Sequence, residues 1–150
     1  MAGTYSQLLY HIVFSTKGRE PWISEAIGPR IYSYIGGIVR GQGGVLLDAG
    51  GIEDHVHLYI RGKTDGKLSD LMRDVKAGSS LWIHGEFPAL KGFAWQDGYG
   101  AFTVSKSQEP AVKAYIAGQR EHHRKEDFKS ELLRILRAHG IDFDERYVFD

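Results

Sequence analysis

The chain has 150 residues, 42% of them hydrophobic and 25% charged, enough to bury one core without disulfide or metal staples. It contains no cysteine, which excludes disulfides, zinc–thiolate sites and thiol nucleophiles and suits a reducing compartment. Its formal net charge is zero, so any contact with nucleic acid must come from local basic patches rather than an overall pull.

A single domain spanning residues 1–150 is expected. The first residues lack a basic stretch followed by an apolar core, and no run approaches the roughly 20 apolar residues of a membrane span. A cytoplasmic location with no membrane partner follows as the expectation.

In chain order, Gln7 to Thr16 alternates with apolar residues on both faces, as a central strand does. Ser24 is placed to cap a helix reaching about Arg40, with Ile27, Ile31, Tyr34, Ile35 and Ile38 at helical spacing. After the Gly41–Gly44 breaker, Val45 to Ala49 reads as a second strand. Gly50-Gly51 then reads as a tight turn into a third strand, making an antiparallel hairpin. A helix is expected from about Leu68 to His84, and a strand or bent hairpin from Phe93 to Val104. Pro110 opens a further helix through about His123, and another runs from about Lys125 to His139, ending at Gly140.

The order β-α-β-β-α-β followed by helices is that of an α+β, ferredoxin-like split βαβ fold: an antiparallel sheet with two crossover helices on one face. Additional C-terminal helices are expected to dock on the other face.

That other face carries the chemistry. In the third strand His55, His57 and Tyr59 point one way, while Val56, Leu58 and Ile60 point the other. The apolar side belongs under the crossover helices, which leaves two imidazoles side by side on the opposite face. A His-x-His pair by itself is more often structural than metal-binding, and two histidines make an incomplete site. The Pro110 helix offers what is missing. Tyr115 and Gln119, four residues apart, share one of its faces, and His122 continues the stripe. A carboxamide oxygen beside two imidazoles suits Mg²⁺ or Mn²⁺. A phenol one turn away suits nucleophilic attack on a phosphate activated by that cation. Attack would conserve bond energy in a phosphotyrosine ester, which points to strand transfer rather than plain hydrolysis.

These residues also carry a family resemblance. Glu53-Asp54-His55-Val56-His57-Leu58 resembles the histidine motif of the single-tyrosine HUH transposases of small insertion sequences, including their REP-associated relatives. The segment Tyr115 to His123 is similar to their tyrosine helix. Tyr10 to Lys17, Trp95 to Val104, and His139-Gly140-Ile141 leading to Glu145-Arg146-Tyr147 resemble three further family segments. The resemblance implies cleavage of single-stranded DNA at imperfect hairpins through a 5′-phosphotyrosine link, with Tyr115 as nucleophile. It implies His55, His57 and Gln119 as ligands of Mg²⁺ or Mn²⁺. It also implies a homodimer in which one subunit's histidines meet the other's tyrosine helix. Gly118 stands where the family pattern has Asn, and a glycine inside a helix costs about 1 kcal/mol against alanine.

Other positions are read more plainly. Asp54 is expected to orient a neighbouring histidine, and His11, His84 and His139 to be structural. His122 and His123 read as capping or surface residues, with proton transfer as their functional alternative. Arg61, Lys63, Lys67, Arg73 and Lys76 form a candidate DNA-binding patch, diluted by Asp65, Asp70 and Asp74, and Tyr5, Tyr59 or Trp95 are candidates for stacking on bases. Two other functions fit the same residues: a domesticated relative that binds DNA hairpins without mobilising an element, and a nucleic-acid-binding module with incidental histidines.

Overall fold

The computed structural model describes residues 3–149. Its framework is a four-stranded antiparallel sheet of β1 (Leu8–Ser15), β2 (Val45–Ile52), β3 (His55–Gly62) and β4 (Gly100–Thr103), in spatial order β2-β3-β1-β4. Helices α1 (Gly28–Gly41) and α2 (Leu68–Glu86) make the two crossovers, so the α+β split βαβ arrangement is the one observed.

The alternation of each strand sorts the core into two faces. Ile12 and Phe14 of β1 join Val56, Leu58 and Ile60 of β3 beneath the crossover helices. Ile31, Ile35 and Val39 of α1 and Met72, Val75 and Ile83 of α2 complete that core. The opposite face carries Leu9, His11 and Val13 of β1 beside His55, His57 and Tyr59 of β3. It is covered by three C-terminal helices: α3 (Glu109–Ala117), α4 (Gln119–His122) and α5 (Phe128–Ala138). Phe128, Leu132, Ile135 and Leu136 of α5 pack on Val13 and Phe102, and Ile116 of α3 packs on Leu9 and Tyr59. Covering both faces makes a three-layer domain with the histidines in the second interlayer.

Several boundaries differ from the sequence expectation. The first helix starts at Gly28 rather than after Ser24. The Ser24 hydroxyl accepts only a long 3.4 Å hydrogen bond from the Ile27 amide, whereas Pro29, with its fixed φ, sits in the first turn. Gly50 and Gly51 are not the hairpin turn. They extend β2, pairing with His57 and Val56, and the chain reverses at Glu53-Asp54. Of residues 93–104 only Gly100–Thr103 joins the sheet, with Trp95 bridging to Thr16. The Lys76 ammonium donates to the Gln96 carbonyl at 2.5 Å and the Gly98 carbonyl at 2.6 Å, which holds the preceding loop away from a ladder.

The tyrosine helix is broken at Gly118, whose φ of −90° and ψ of 12° separate α3 from α4. The last helix starts three residues later than expected, because Asp127 caps it by accepting a 2.9 Å bond from the Ser130 amide. Two of the structural histidines contact the frame: His84 Nε2 donates to the Phe93 carbonyl at 2.7 Å, and His139 stacks on Phe102. No helix among the described residues is long and apolar enough to cross a membrane.

Candidate active site

Strand β3 supplies two buried imidazoles whose rear nitrogens are already occupied. His55 Nδ1 donates to Asp54 Oδ1 at 2.8 Å, and His57 Nδ1 shares a hydrogen bond of 2.8 Å with His11 Nε2. Each ring is thereby turned so that Nε2 faces the space between sheet and C-terminal helices, as the outer partners of metal-binding histidines do. His11 reaches this position because β1 pairs antiparallel with β3 and its odd-numbered residues share the histidine face.

Helices α3 and α4 bring the other expected groups to the same place. Gln119 Oε1 accepts from His55 Nε2 at 2.9 Å, and the Gln119 amide nitrogen donates back to the Tyr115 carbonyl at 3.3 Å. The break at Gly118 therefore leaves Tyr115 and Gln119 on one side of the chain. The Tyr115 ring stands 5.6 Å from that of His57, within the same chain.

Sequence reasoning missed Glu131. Its carboxylate is fully buried and lies between the histidines and the tyrosine. Oε1 is 3.1 Å from His57 Nε2 and 3.3 Å from His55 Nε2, while Oε2 accepts the hydrogen bond of the Tyr115 hydroxyl. Arg134, one turn further along α5, donates from Nη2 to the Tyr115 oxygen at 2.8 Å and is braced by Glu126 at 3.0 Å. One signal was available in the sequence. Position 131 falls on the stripe of Phe128, Leu132 and Ile135, the face of α5 that is buried.

The electrostatics follow from this enclosure. Burial opposes a charge on His55, but its bonds to Asp54 and Glu131 prevail and lift its pKa to about 9. Burial pushes His57 down, and burial with the neighbouring His57 brings His11 down to about 3. Burial alone would raise Glu131, yet hydrogen bonds from His123, His55 and His57 hold it far below the usual carboxylate range. Burial and the Glu131 carboxylate keep the Tyr115 phenol well above its ordinary value, so it holds its proton.

This donor set fits a divalent cation. His55, His57 and Glu131 offer ligand atoms within 4.8 Å of one another, and Gln119 Oε1 adjoins them. Two imidazoles, a carboxylate and a carboxamide are also the chemical mixture such ions accept.

The expected DNA patch lies elsewhere. Arg61 stands near the end of β3, six residues or about 20 Å along the strand from His55; Lys63 and Lys67 flank the loop into α2, and Arg73 and Lys76 lie within that helix on the other face of the sheet. Within it Arg73 stands against Asp70 and Asp74, and Lys76 is committed to the loop carbonyls. Tyr59 and Trp95 are buried and offer no ring to a base, whereas Tyr5 is exposed.

The approach of α3 to the sheet depends on Gly50. A Cβ there would stand 2.8 Å from the Ile116 carbonyl oxygen, next to Tyr115. Gly50→Ala is expected to lift α3 from the sheet and to shift Tyr115 and Gln119 away from the β3 histidines. The stability loss in urea unfolding should be only about 1–2 kcal/mol.

The family described as "Transposase IS200 like" matches residues 4–119. A Deinococcus radiodurans R1 protein assigned as a transposase is 24% identical in sequence and superposes with a TM-score of 0.66, over 79% of this chain and 95% of that one. A REP-associated tyrosine transposase bound to a REP hairpin is 15% identical with a TM-score of 0.59, over 82% of this chain and 73% of that one. No curated protein matches the chain. With more than three quarters of its length matched by the family pattern, and the fold shared with both structures, the chain belongs to the IS200-like transposase family.

Proposed function

We propose that residues 1–150 form one catalytic domain that cleaves and rejoins single-stranded DNA at hairpin-marked ends. Tyr115 is its nucleophile, and His55, His57 and Gln119, joined by Glu131, are its ligands for Mg²⁺ or Mn²⁺. The observation that carries this reading is the position of Glu131: one carboxylate oxygen faces the histidines and the other accepts the hydrogen of the Tyr115 hydroxyl.

In the cleavage step the Tyr115 oxygen bonds to phosphorus, the P–O3′ bond breaks, and the 3′ oxygen leaves with its electron pair to be protonated by water. Glu131 Oε2 accepts the phenol hydrogen bond and orients the oxygen for attack, and the proton is released to solvent on the partly exposed side as the new bond to phosphorus forms. Arg134 Nη2, on the nucleophile oxygen, stabilises the phenolate as it forms and neutralises the phosphate it becomes attached to. A bound cation supplies charge neutralisation of the non-bridging phosphate oxygens. Rejoining reverses these steps from another 3′-OH.

The ligand atoms are sealed beneath α4 and α5, while Arg134 and His122 are partly exposed, so the phosphate approaches the phenol from their side. One tyrosine holds one 5′ phosphate. Exchanging two ends therefore calls for two sites, which a homodimer with each site assembled within its own chain provides.

The test is a labelled single strand carrying an imperfect hairpin from the element's ends, incubated with the protein and Mn²⁺. A protein–DNA adduct that survives denaturation, with release of a free 3′-OH, is the expected result. Hairpin binding with no adduct on any end-derived strand would instead favour a domesticated hairpin binder.

A further inference from the structure

We propose that His123 is a third histidine ligand of the metal pocket, giving a five-donor site that selects a transition-metal dication such as Mn²⁺ over Mg²⁺. The inference rests on the reading of His55, His57 and Gln119 as ligands and extends it to residues beyond the segment that the family pattern matches.

The residue that ends α4 turns its ring into the pocket. His123 Nε2 is 3.1 Å from Gln119 Oε1 and 3.1 Å from Glu131 Oε1, with its side chain only 3% exposed. With the contacts from β3, three imidazole nitrogens face two oxygens. His55 Nε2 is 2.9 Å from Gln119 Oε1 and 3.3 Å from Glu131 Oε1, and His57 Nε2 is 3.1 Å from Glu131 Oε1. Each Nε2 carries at most one hydrogen, so three rings cannot make five separate hydrogen bonds to two atoms. One cation among them accounts for all five contacts. Neighbouring ligands around an ion at about 2.1–2.3 Å stand about 3.0–3.3 Å apart, which is the spacing present.

His123 differs from the other two rings in that its buried Nδ1 has no hydrogen-bond partner, which leaves the contacts of Nε2 to hold the ring. One further observation agrees. Glu131 is a charge on the apolar stripe of α5, where burying a carboxylate is costly, and a cation beside it adds to the compensation its imidazole and phenol partners give.

The donors decide the metal. Mg²⁺ prefers oxygen ligands and retains several waters, whereas imidazole-rich sites bind first-row transition dications with increasing affinity along the series. Three neutral imidazoles, a neutral carboxamide and one carboxylate leave a dication with a net charge of +1.

Calorimetric titration of the metal-free full chain with Mn²⁺ and with Mg²⁺, and pulsed EPR of the Mn²⁺ form, test this without reference to activity. The wild type should bind Mn²⁺ at least about 100-fold more tightly than Mg²⁺ and show three coupled imidazole nitrogens. His123→Ala should weaken Mn²⁺ about tenfold or more, lower the Mn²⁺/Mg²⁺ ratio and reduce the count to two nitrogens. His123→Gln, which keeps a polar group in the pocket, guards against loss of folding and should also give two. Equal affinity for the two ions, or two nitrogens in the wild type, overturns the proposal. Unchanged Mn²⁺ binding in His123→Ala, with binding lost in His55→Ala, also overturns it while leaving the histidine pair as ligands. If His55→Ala binds Mn²⁺ as the wild type does, the reading of the pocket itself falls.

Discussion

Tyr115→Phe is expected to abolish the covalent protein–DNA adduct and to reduce cleavage by at least about 10⁴-fold, because the variant lacks the atom that bonds to phosphorus. Among the described residues the Tyr115 oxygen has Glu131 and Arg134 as its hydrogen-bond partners, and no second hydroxyl adjoins it. The substitution keeps the ring that packs beside His57 and His11, so the fold should persist. Its structural cost is the lost hydrogen bond to Glu131 Oε2, about 1–2 kcal/mol by thermal or urea unfolding. Hairpin affinity should change little, since the hydroxyl meets the phosphate rather than the bases. An adduct on denaturing gels that survives this substitution would remove Tyr115 from the mechanism. An adduct lost together with the folded state would leave the matter to Arg134→Ala, which spares the phenol and should slow cleavage without eliminating it.

The histidine motif was legible because a strand repeats every two residues: once Val56, Leu58 and Ile60 are buried on one side, His55 and His57 must share the other. Tyr115 and Gln119 were legible by their i, i+4 spacing. The break at Gly118 did not spoil it, because backbone hydrogen bonds from the Gly118 amide to Ala114 and from the His122 amide to Gly118 carry the turn through. Glu131 escaped notice because a charge on an amphipathic helix ordinarily marks the solvent side; only its alignment with Phe128, Leu132 and Ile135 shows otherwise. His11 was hidden by a strand buried on both faces, in which alternation alone does not say which side holds the histidines. Gly50-Gly51 was misread for a related reason. Two glycines are the usual mark of a turn, but here they make room for a neighbour, with the Ile116 carbonyl resting against Gly50.

His57→Ala is expected to remove the stabilisation that a divalent cation gives the fold. A ligand that binds only the folded state at 100 times its Kd adds about 2.7 kcal/mol. For a chain of this size that corresponds to a rise of about 5–11 °C in Tm. The wild type should show this rise with saturating Mn²⁺, and His57→Ala should show almost none. Without metal the variant should be about 1–3 kcal/mol less stable, because the His11 ring loses its 2.8 Å partner and Glu131 Oε1 loses one of its imidazoles. The two effects separate cleanly. The intrinsic loss is present in chelator, and the loss of the metal-dependent rise is seen only in the difference between scans with and without the ion. Arg61→Ala is the control, since its side chain is exposed at the far end of the same strand and should leave the metal-dependent rise intact. A rise that persists in His57→Ala would place the stabilising ion outside this pocket. Adduct formation in Mn²⁺ should fall along with the rise, tying the cation that steadies the fold to the one that prepares the phosphate for Tyr115.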